Sequence, residues 1–164
     1  MSQAAVEVET TFGVLGVESS EVGVRRVHLG HGARIRSGSG QATKNAERAV
    51  AQLAEYVRGE REKLDLELDW TAVGPQHRHV LETLREVAPF GVTVTYGELG
   101  QHAGVDDPRD VGVFMATNPL PLVVPCHRVV ASDGLGGYGG GLELKRRLLE
   151  LEGVLPPRLD LGEL

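Results

Sequence analysis

The stretch PLVVPCHRVV contains the only cysteine of the chain, Cys126, followed directly by His127 and Arg128. A lone cysteine is usually a small buried hydrophobe, so reactivity needs further support. The apolar run Leu122–Val124 predicts a short buried strand that a proline stops, which would place Cys126 at a strand end. Cationic and hydrogen-bonding neighbours lower the pKa of a thiol. The stretch therefore favours a reactive thiol over an inert one.

A second pattern, TVTYGELGQHAGVDDPRDVGVFMATNP, predicts two short helices joined by a tight turn. Thr95 and Glu98 have the spacing of a capping box, and Gly104 is placed to end that helix. Asp107 then offers an N-cap for a helix over residues 108–117. The pattern is typical of a helix-turn-helix, although a corner between two helices that serves only packing has the same signature.

Composition limits the class of protein. The chain has 164 residues, of which 41% are hydrophobic, and this composition predicts a folded globular protein. Its formal charge of −6, taken alone, argues against a polyanionic partner. One cysteine allows no intramolecular disulfide, and MSQAAVEVETTFG has no basic region followed by an apolar core. No apolar run reaches the length of a membrane span. We therefore expect a cytoplasmic protein without a membrane partner.

The hydrophobic period changes near residue 72. Before it, FGVLGVES, GVRRVHLG and ARIRSGS read as short strands, followed by a helix from Thr43 to Arg58. A further helix is predicted from Gln76 to Ala88. The expected fold class is α+β: a small N-terminal antiparallel sheet with a helix (residues 1–71), then a mostly helical domain with the helix-turn-helix (residues 72–164).

The string PCHRVV, preceded by NPLPLVV and followed by GGYGGGLELKRRLLELEG, closely resembles the O6-alkylguanine-DNA alkyltransferases, or methylated-DNA–protein-cysteine methyltransferases. The resemblance is strong over about residues 72–155 and weak before that. It implies a ribonuclease H-like N-terminal domain and a C-terminal alkyl-transfer domain. It also implies repair of O6-alkylguanine, and of O4-alkylthymine, in DNA: the base is flipped out of the duplex and its alkyl group moves irreversibly to the cysteine.

The resemblance also implies roles for single residues. Cys126 is the expected alkyl acceptor, His127 the base that activates it through a water, and Glu152 the carboxylate that orients the histidine. Tyr96 is expected to donate a proton to the departing guanine. Asn118 is expected to brace the active-site turn.

Other residues are expected to contact DNA or the flipped base. Arg109 resembles the finger that takes the place of the extruded nucleotide. Tyr138, with the backbone of residues 139–141, resembles a loop that closes over the base, and Gly139 and Gly140 are its expected contacts. The remaining predicted substrate or DNA contacts are Pro121, Arg128, Ser132 and Lys145.

The expected product, an S-alkylcysteine, is a thioether that thiol exchange does not reverse, so each molecule should react once. No cofactor and no metal are expected, because a single cysteine excludes a cysteine-rich zinc site. The expected partner of a monomeric protein is double-stranded DNA that contains alkylated guanine.

The predicted recognition helix departs from the family pattern. Asp106, Asp107 and Asp110 lie at or near its start, where carboxylates favour the helix dipole but repel phosphate. Two alternatives therefore stay open. One is a damage-sensing DNA-binding protein like the alkyltransferase-like proteins, which carry tryptophan at the cysteine position. The other is a thiol acceptor for free alkylated bases or small electrophiles.

Overall fold

The computed structural model of the chain describes residues 2–158. Its N-terminal part is a three-stranded antiparallel sheet in the order β1-β2-β3, covered on one face by a long helix. The strands are β1 Gln3–Thr10, β2 Gly13–Ser20 and β3 Val24–Leu29, and the helix is α1 Gly40–Val57. Helix α1 is amphipathic and buries mainly small alanine side chains, which lets it lie close to the sheet.

The second part is mostly helical. It contains α2 Pro75–Val87, α3 Tyr96–Ala103, α4 Pro108–Ala116 and α5 Leu142–Leu151, with two short parallel strands, β4 Val94–Thr95 and β5 Val129–Val130. The predicted α+β class is confirmed. The division at residues 71 and 72 and the ribonuclease H-like character stay predictions, and residues 159–164 of the predicted second domain lie outside the described part. Between residues 2 and 158, no helix is long and apolar enough to cross a membrane.

The local signals of the helix-turn-helix are confirmed. Thr95 and Glu98 form a reciprocal capping box at the start of α3, and Gly104 ends that helix in the left-handed conformation at φ 75°. Asp107 caps α4 by accepting from the backbone N–H of Arg109. These signals are local, so sequence alone places them well.

Two predicted helix starts were late. Helix α1 begins at Gly40 rather than Thr43, because the Ser39 side chain caps it by accepting from the backbone N–H of Ala42. Helix α2 begins with Pro75, whose missing N–H costs nothing at that position.

One predicted strand was wrong. The run ARIRSGS makes a single bridge, between Ala5 and Arg36, and then leads into α1. The third strand of the sheet is instead Gln3–Thr10, in which Val6 and Val8 alternate with Glu7 and Glu9. That alternation is a strand signal that our sequence interpretation passed over.

The predicted strand Leu122–Val124 is also wrong. The segment is a tight buried turn: Leu122 has φ 72°, and the Val124 N–H donates to the Leu120 carbonyl at 2.8 Å. Flanking prolines have no N–H for a strand ladder, which favours the turn. Cys126 therefore follows a turn and opens a single 3-10 turn, Cys126–Arg128, rather than ending a strand.

The N-terminal sheet is joined directly to the loop that precedes the cysteine. The Val27 N–H of β3 donates to the Pro119 carbonyl at 2.9 Å, and Val24 pairs through its N–H with Glu67. The core is continuous between the sheet and the helices. Strand β3 therefore forms a fixed wall beside Cys126.

The turn between α3 and α4 depends on a close backbone approach at Gly100. A Cβ at this position would lie 2.5 Å from the Val105 carbonyl oxygen, whereas a Cβ at Gly112, inside α4, would meet nothing within 4 Å. We predict that Gly100→Ala lowers the free energy of unfolding by about 2 kcal/mol because the turn must open.

The matched Gly112→Ala variant should instead raise stability by roughly 0.5–1 kcal/mol through helix propensity. Urea unfolding of both variants measures the contrast. Equal stabilities would show that the turn is not packed as described.

Candidate active site

Cys126 lies at the base of an open cleft of about 240 Å³. One wall is strand β3, another is the C-terminal end of α4, and the third is the segment Tyr138–Gly140. Asn118 and Pro121 complete the lining beside the cysteine. The cysteine is 7% exposed, so a reagent reaches the sulfur only through this cleft. Within residues 2–158, no group of three or more His, Cys, Asp or Glu side chains is placed to hold a metal ion.

Asn118 holds the turn that presents the cysteine. Its side-chain amide donates to the Val124 carbonyl at 3.0 Å, while its carbonyl oxygen accepts from the Leu120 N–H at 2.9 Å. Both ends of the buried turn are therefore tied to one side chain. The Asn118 side chain also acts to lower the pKa of the Cys126 thiol.

His127 follows the cysteine and is completely buried. Its Nε2 lies 2.7 Å from Oε2 of Glu152, at the end of α5. A carboxylate only accepts, so Nε2 must carry the ring proton, and Nδ1 then holds the lone pair. Among the described residues, no hydrogen-bond partner faces this buried Nδ1. Nδ1 is therefore the ring nitrogen that can accept a proton, and it belongs to the residue that directly follows Cys126.

Glu152 is 5% exposed and accepts five hydrogen bonds from the described residues. The donors are the side chains of Tyr56, His127 and Arg128, which donates twice, and the N–H of Gly91. Burial opposes ionisation, but the hydrogen bonds from His127 and Arg128 outweigh it and hold the pKa of this carboxyl well below its usual range. Glu152 is therefore a permanent anion that orients the histidine.

The pKa values of the reactive pair differ from the sequence expectation. Burial raises the pKa of the Cys126 thiol, and the Asn118 hydrogen bond and the charge of Lys145 only partly oppose it. Burial also lowers the pKa of His127, against the effect of Glu152. The expectation of a thiol already activated by cationic neighbours was wrong, because the site is dry. In the resting protein the thiol is protonated and the imidazole is neutral.

Arg128 does not face the cleft. It is 7% exposed, donates from Nε to Glu152 at 2.7 Å and from Nη1 to the Ala88 carbonyl at 2.8 Å. The predicted substrate or DNA contact is therefore corrected: this cation neutralises a buried carboxylate. Sequence could not show this, because the partner comes from another helix.

Lys145 is likewise buried rather than exposed to DNA. Its ammonium donates to the carbonyls of Val129, Leu135 and Gly137 at 2.7, 2.5 and 3.0 Å. Burial lowers the pKa of Lys145 to about 8. Its role is to hold the backbone of the segment that precedes Tyr138, which corrects the predicted DNA contact.

Two tyrosines flank the cysteine. The Tyr96 hydroxyl is half-buried at the start of α3, and burial raises its pKa although the Gly137 backbone acts to lower it. Gly136 lies directly beneath this ring, where a Cβ would lie 3.0 Å from the Tyr96 hydroxyl. Tyr138 lies edge-on to His127 with ring centroids 6.5 Å apart. Its buried hydroxyl meets no hydrogen-bond partner within the described chain.

The other predicted contacts separate into two groups. Pro121, Gly139 and Gly140 line the cleft, whereas Ser132 is exposed on the turn of residues 131–134 and is not part of the lining. The Arg109 side chain is 91% exposed and forms an ion pair with Asp107 at 2.9 Å. It projects from the start of α4, away from the buried centre.

Sequence reasoning missed two parts of the site. Strand β3 supplies the wall Arg26–Leu29, and Tyr56 of α1 reaches the buried carboxylate from the N-terminal part. The strand itself was predicted from GVRRVHLG, but its neighbour in space was not. A single sequence gives no signal for such long-range contacts.

Comparisons with known proteins identify relatives of this chain. Residues 75–154 match the family described as 6-O-methylguanine DNA methyltransferase, DNA binding domain. The methylated-DNA–protein-cysteine methyltransferase of Methanothermobacter thermautotrophicus is 37% identical over 85% of this chain and 80% of that protein. A Thermus thermophilus protein named DNA base-flipping protein is 40% identical over 89% of this chain and 97% of its own length.

A solved structure has a similar fold. Mycobacterium tuberculosis OGT in complex with DNA is 31% identical, covers 91% of this chain and 92% of that one, and superposes with a TM-score of 0.75. Among eight relatives of this chain, the matched share of the relative's own length runs from 47% to 97%. The chain belongs to the 6-O-methylguanine DNA methyltransferase family.

The corrected position of Arg128 makes a prediction. Arg128→Met should lower the free energy of unfolding by about 3 kcal/mol or more, because it leaves Glu152 buried without its cation. Arg109→Met, which removes an exposed arginine of the same size, should leave the unfolding midpoint unchanged. Thermal and urea unfolding measure both. If Arg128→Met unfolds at the wild-type midpoint, the buried ion pair contributes no stability and our reading of it is wrong.

Proposed function

We propose that this protein repairs DNA by moving a methyl or other alkyl group from O6-alkylguanine, and from O4-alkylthymine, to Cys126. The observation that carries the proposal is the buried Cys126–His127–Glu152 relay at the base of a cleft beside a helix-turn-helix. The relatives named above support the same activity. The proposed activity is that of a methylated-DNA–protein-cysteine S-methyltransferase in which each molecule acts once.

The relay supplies the nucleophile at the moment of reaction. The S–H proton of Cys126 passes, through a water, to Nδ1 of His127, whose Nε2–H already points at the Glu152 carboxylate. The new imidazolium is stabilised by that anion. The thiolate forms the S–C bond as the bond between the alkyl carbon and O6 breaks, and Tyr96 gives a proton to the departing guanine. The imidazolium then returns its proton through solvent to the Tyr96 oxygen, so that one thiol and one alkylguanine become one thioether and one guanine.

The surroundings favour the charges that develop. The Lys145 ammonium is close enough to lower the pKa of the thiol and also fixes the backbone around Gly137, against which Tyr96 rests. The Asn118 side chain also favours the thiolate. Fixed donors of this kind act before the reaction and need no reorganisation during it. Tyr138, Gly139 and Gly140 form the wall against which a flat base would lie.

The base must leave the duplex to reach the cleft, because a stacked base exposes no alkyl carbon to a buried sulfur. We propose that α4 approaches the DNA and that Arg109, which is long, planar and exposed, fills the gap left by the nucleotide. The carboxylates of Asp107 and Asp110 beside it repel DNA phosphates, so the affinity for DNA depends on the balance between these negative charges and the positive charge of Arg109.

The thioether product is outside the sulfur states that thiol exchange restores, so one protein molecule accepts one alkyl group. A thiol that must stay reduced until it reacts fits a reducing compartment, and we propose that the protein acts in the cytoplasm. We also propose that it acts as a monomer, since the proposed relay and cleft are built by one chain.

A rival function is suggested by the relative named DNA base-flipping protein. Such a protein would bind and flip the damaged base without removing the alkyl group. Cys126, with a base beside it and an open cleft above it, favours transfer over sensing.

The first test is the mass of the protein after reaction. Incubation with a duplex that contains O6-methylguanine should add one methyl group per molecule, and peptide mapping should place it on Cys126. Cys126→Ala should bind the same duplex without gaining mass, because only the sulfur is consumed. Mass gain in Cys126→Ala would refute the mechanism, and damage-selective binding without any mass gain in the wild type would favour the sensing function.

The second test separates duplex from free substrate. Arg109→Ala should slow repair in duplex DNA by about tenfold or more while leaving the reaction with free O6-benzylguanine unchanged, because only the duplex has a gap to fill. Asp110→Ala should tighten duplex binding, and the gain should shrink as salt rises. Single-turnover rates and salt titrations measure both. If neither variant changes duplex repair or affinity, α4 does not meet DNA, and the small-molecule alternative replaces the proposal.

A further inference from the structure

We propose that Tyr56 of α1 is a positioning residue that restrains the reactivity of Cys126 through Glu152 and His127. The role follows from three contacts that meet at one carboxylate oxygen. It adds a residue of the N-terminal part to a relay otherwise built from the C-terminal part.

The geometry is specific. The Tyr56 hydroxyl donates to Oε2 of Glu152 at 2.5 Å, and His127 donates through Nε2 to the same oxygen at 2.7 Å. The tyrosine oxygen and Nε2 are 3.4 Å apart, and Arg128 donates through Nη2 to the same oxygen at 2.9 Å, so three donors share one acceptor. Tyr56 is 1% exposed, and burial, with the neighbouring Glu152 anion, raises its pKa well above the ordinary value, so it stays a donor at any working pH.

When several donors share one acceptor oxygen, each hydrogen bond to that oxygen is weaker than it would be alone. The charge on Oε2 must stabilise the imidazolium that forms when His127 takes the thiol proton, and the Tyr56 hydroxyl draws on that same charge. Tyr56 therefore makes His127 a weaker base than Glu152 alone would. The thiol beside it stays protonated in the resting protein.

The benefit of this restraint rests on the proposed single-turnover function. A protein that reacts once loses its activity to any stray electrophile that alkylates Cys126. A less basic histidine keeps the thiolate fraction low until a substrate is bound. Tyr56 thus favours the correct substrate over unspecific alkylation.

The surrounding groups do not account for the effect. The ionisable groups around the relay are Cys126, Arg128, Tyr138 and Lys145. A second cavity, which Tyr56 also lines, has the charged side chains of Glu62, Lys63 and Arg85 around it. All of them stay in place when only the tyrosine oxygen is removed. The ring also keeps its edge-to-face contact with Phe90, at a centroid distance of 6.4 Å.

Tyr56→Phe tests the proposal, and Ser20→Ala is the matched control. Ser20 is a buried hydroxyl that donates to a carboxylate, Asp69, at 2.6 Å, remote from the cleft. Both variants lose a buried hydroxyl that donates to a carboxylate, and Ser20→Ala also removes the acceptor of the Val22 and Gly23 N–H groups, so it is the more disruptive change to the fold. Only Tyr56→Phe should change the chemistry of Cys126.

The readout is the rate at which iodoacetamide alkylates Cys126, followed by intact mass from pH 5 to pH 10. Because the chain has one cysteine, the mass reports this site alone. In Tyr56→Phe the higher pKa of His127 should make the thiol react about threefold faster at pH 7, and the acid limb of the profile should move to higher pH. Ser20→Ala should follow the wild-type profile. Transfer from O6-benzylguanine should show the same shift.

The outcomes separate this proposal from the proposed function. A faster thiol in Tyr56→Phe alone supports the restraint, even if the wild type transfers no alkyl group from DNA, a result that would refute only the repair function. An unchanged or slower thiol overturns the role of Tyr56. An equal shift in Ser20→Ala also overturns it, because the cause would then be loss of stability.

Discussion

A buried carboxylate is the interaction on which the rest of the site depends. Glu152 has lost its water, and its charge is kept only because the Arg128 guanidinium, the His127 ring, the Tyr56 hydroxyl and the Gly91 N–H all point at it. These donors come from α1, from the loop after α2 and from the turn that carries the cysteine. The charge therefore organises the packing of separate elements around one point.

That arrangement explains how a dry site can do thiol chemistry. Burial raises the pKa of the Cys126 thiol and lowers the pKa of His127, so neither is charged at rest. The thiol proton can move to His127 when substrate is present, because the Glu152 carboxylate already accepts a hydrogen bond from the other nitrogen of the ring. A site arranged in this way keeps the thiol protonated at rest and forms the thiolate only when substrate is bound. Strand β3 and the segment Tyr138–Gly140 form two walls of the cleft, which gives the N-terminal sheet a structural part in the site.

How much of this the sequence could predict depends on the range of each interaction. The caps at Thr95 and Asp107 and the end of α3 at Gly104 follow from neighbours along the chain, and they were predicted correctly. Arg128 and Lys145 were assigned to the surface because most cations lie there. Their burial depends on carboxylate and carbonyl partners from other elements, which one sequence does not show. The part of Tyr56 in the site has no signal in the sequence, since in α1 it is one more apolar position on the buried face of the helix.

The central claim is that Glu152 fixes the proton of His127 on Nε2 and leaves Nδ1 as the base beside Cys126. The most direct measurement is the ¹⁵N NMR spectrum of histidine-labelled protein at neutral pH, with His127 assigned by its loss in His127→Gln. The account predicts a neutral ring with a protonated Nε2 and an unprotonated Nδ1. A charged imidazolium at neutral pH, or a proton on Nδ1, would contradict it.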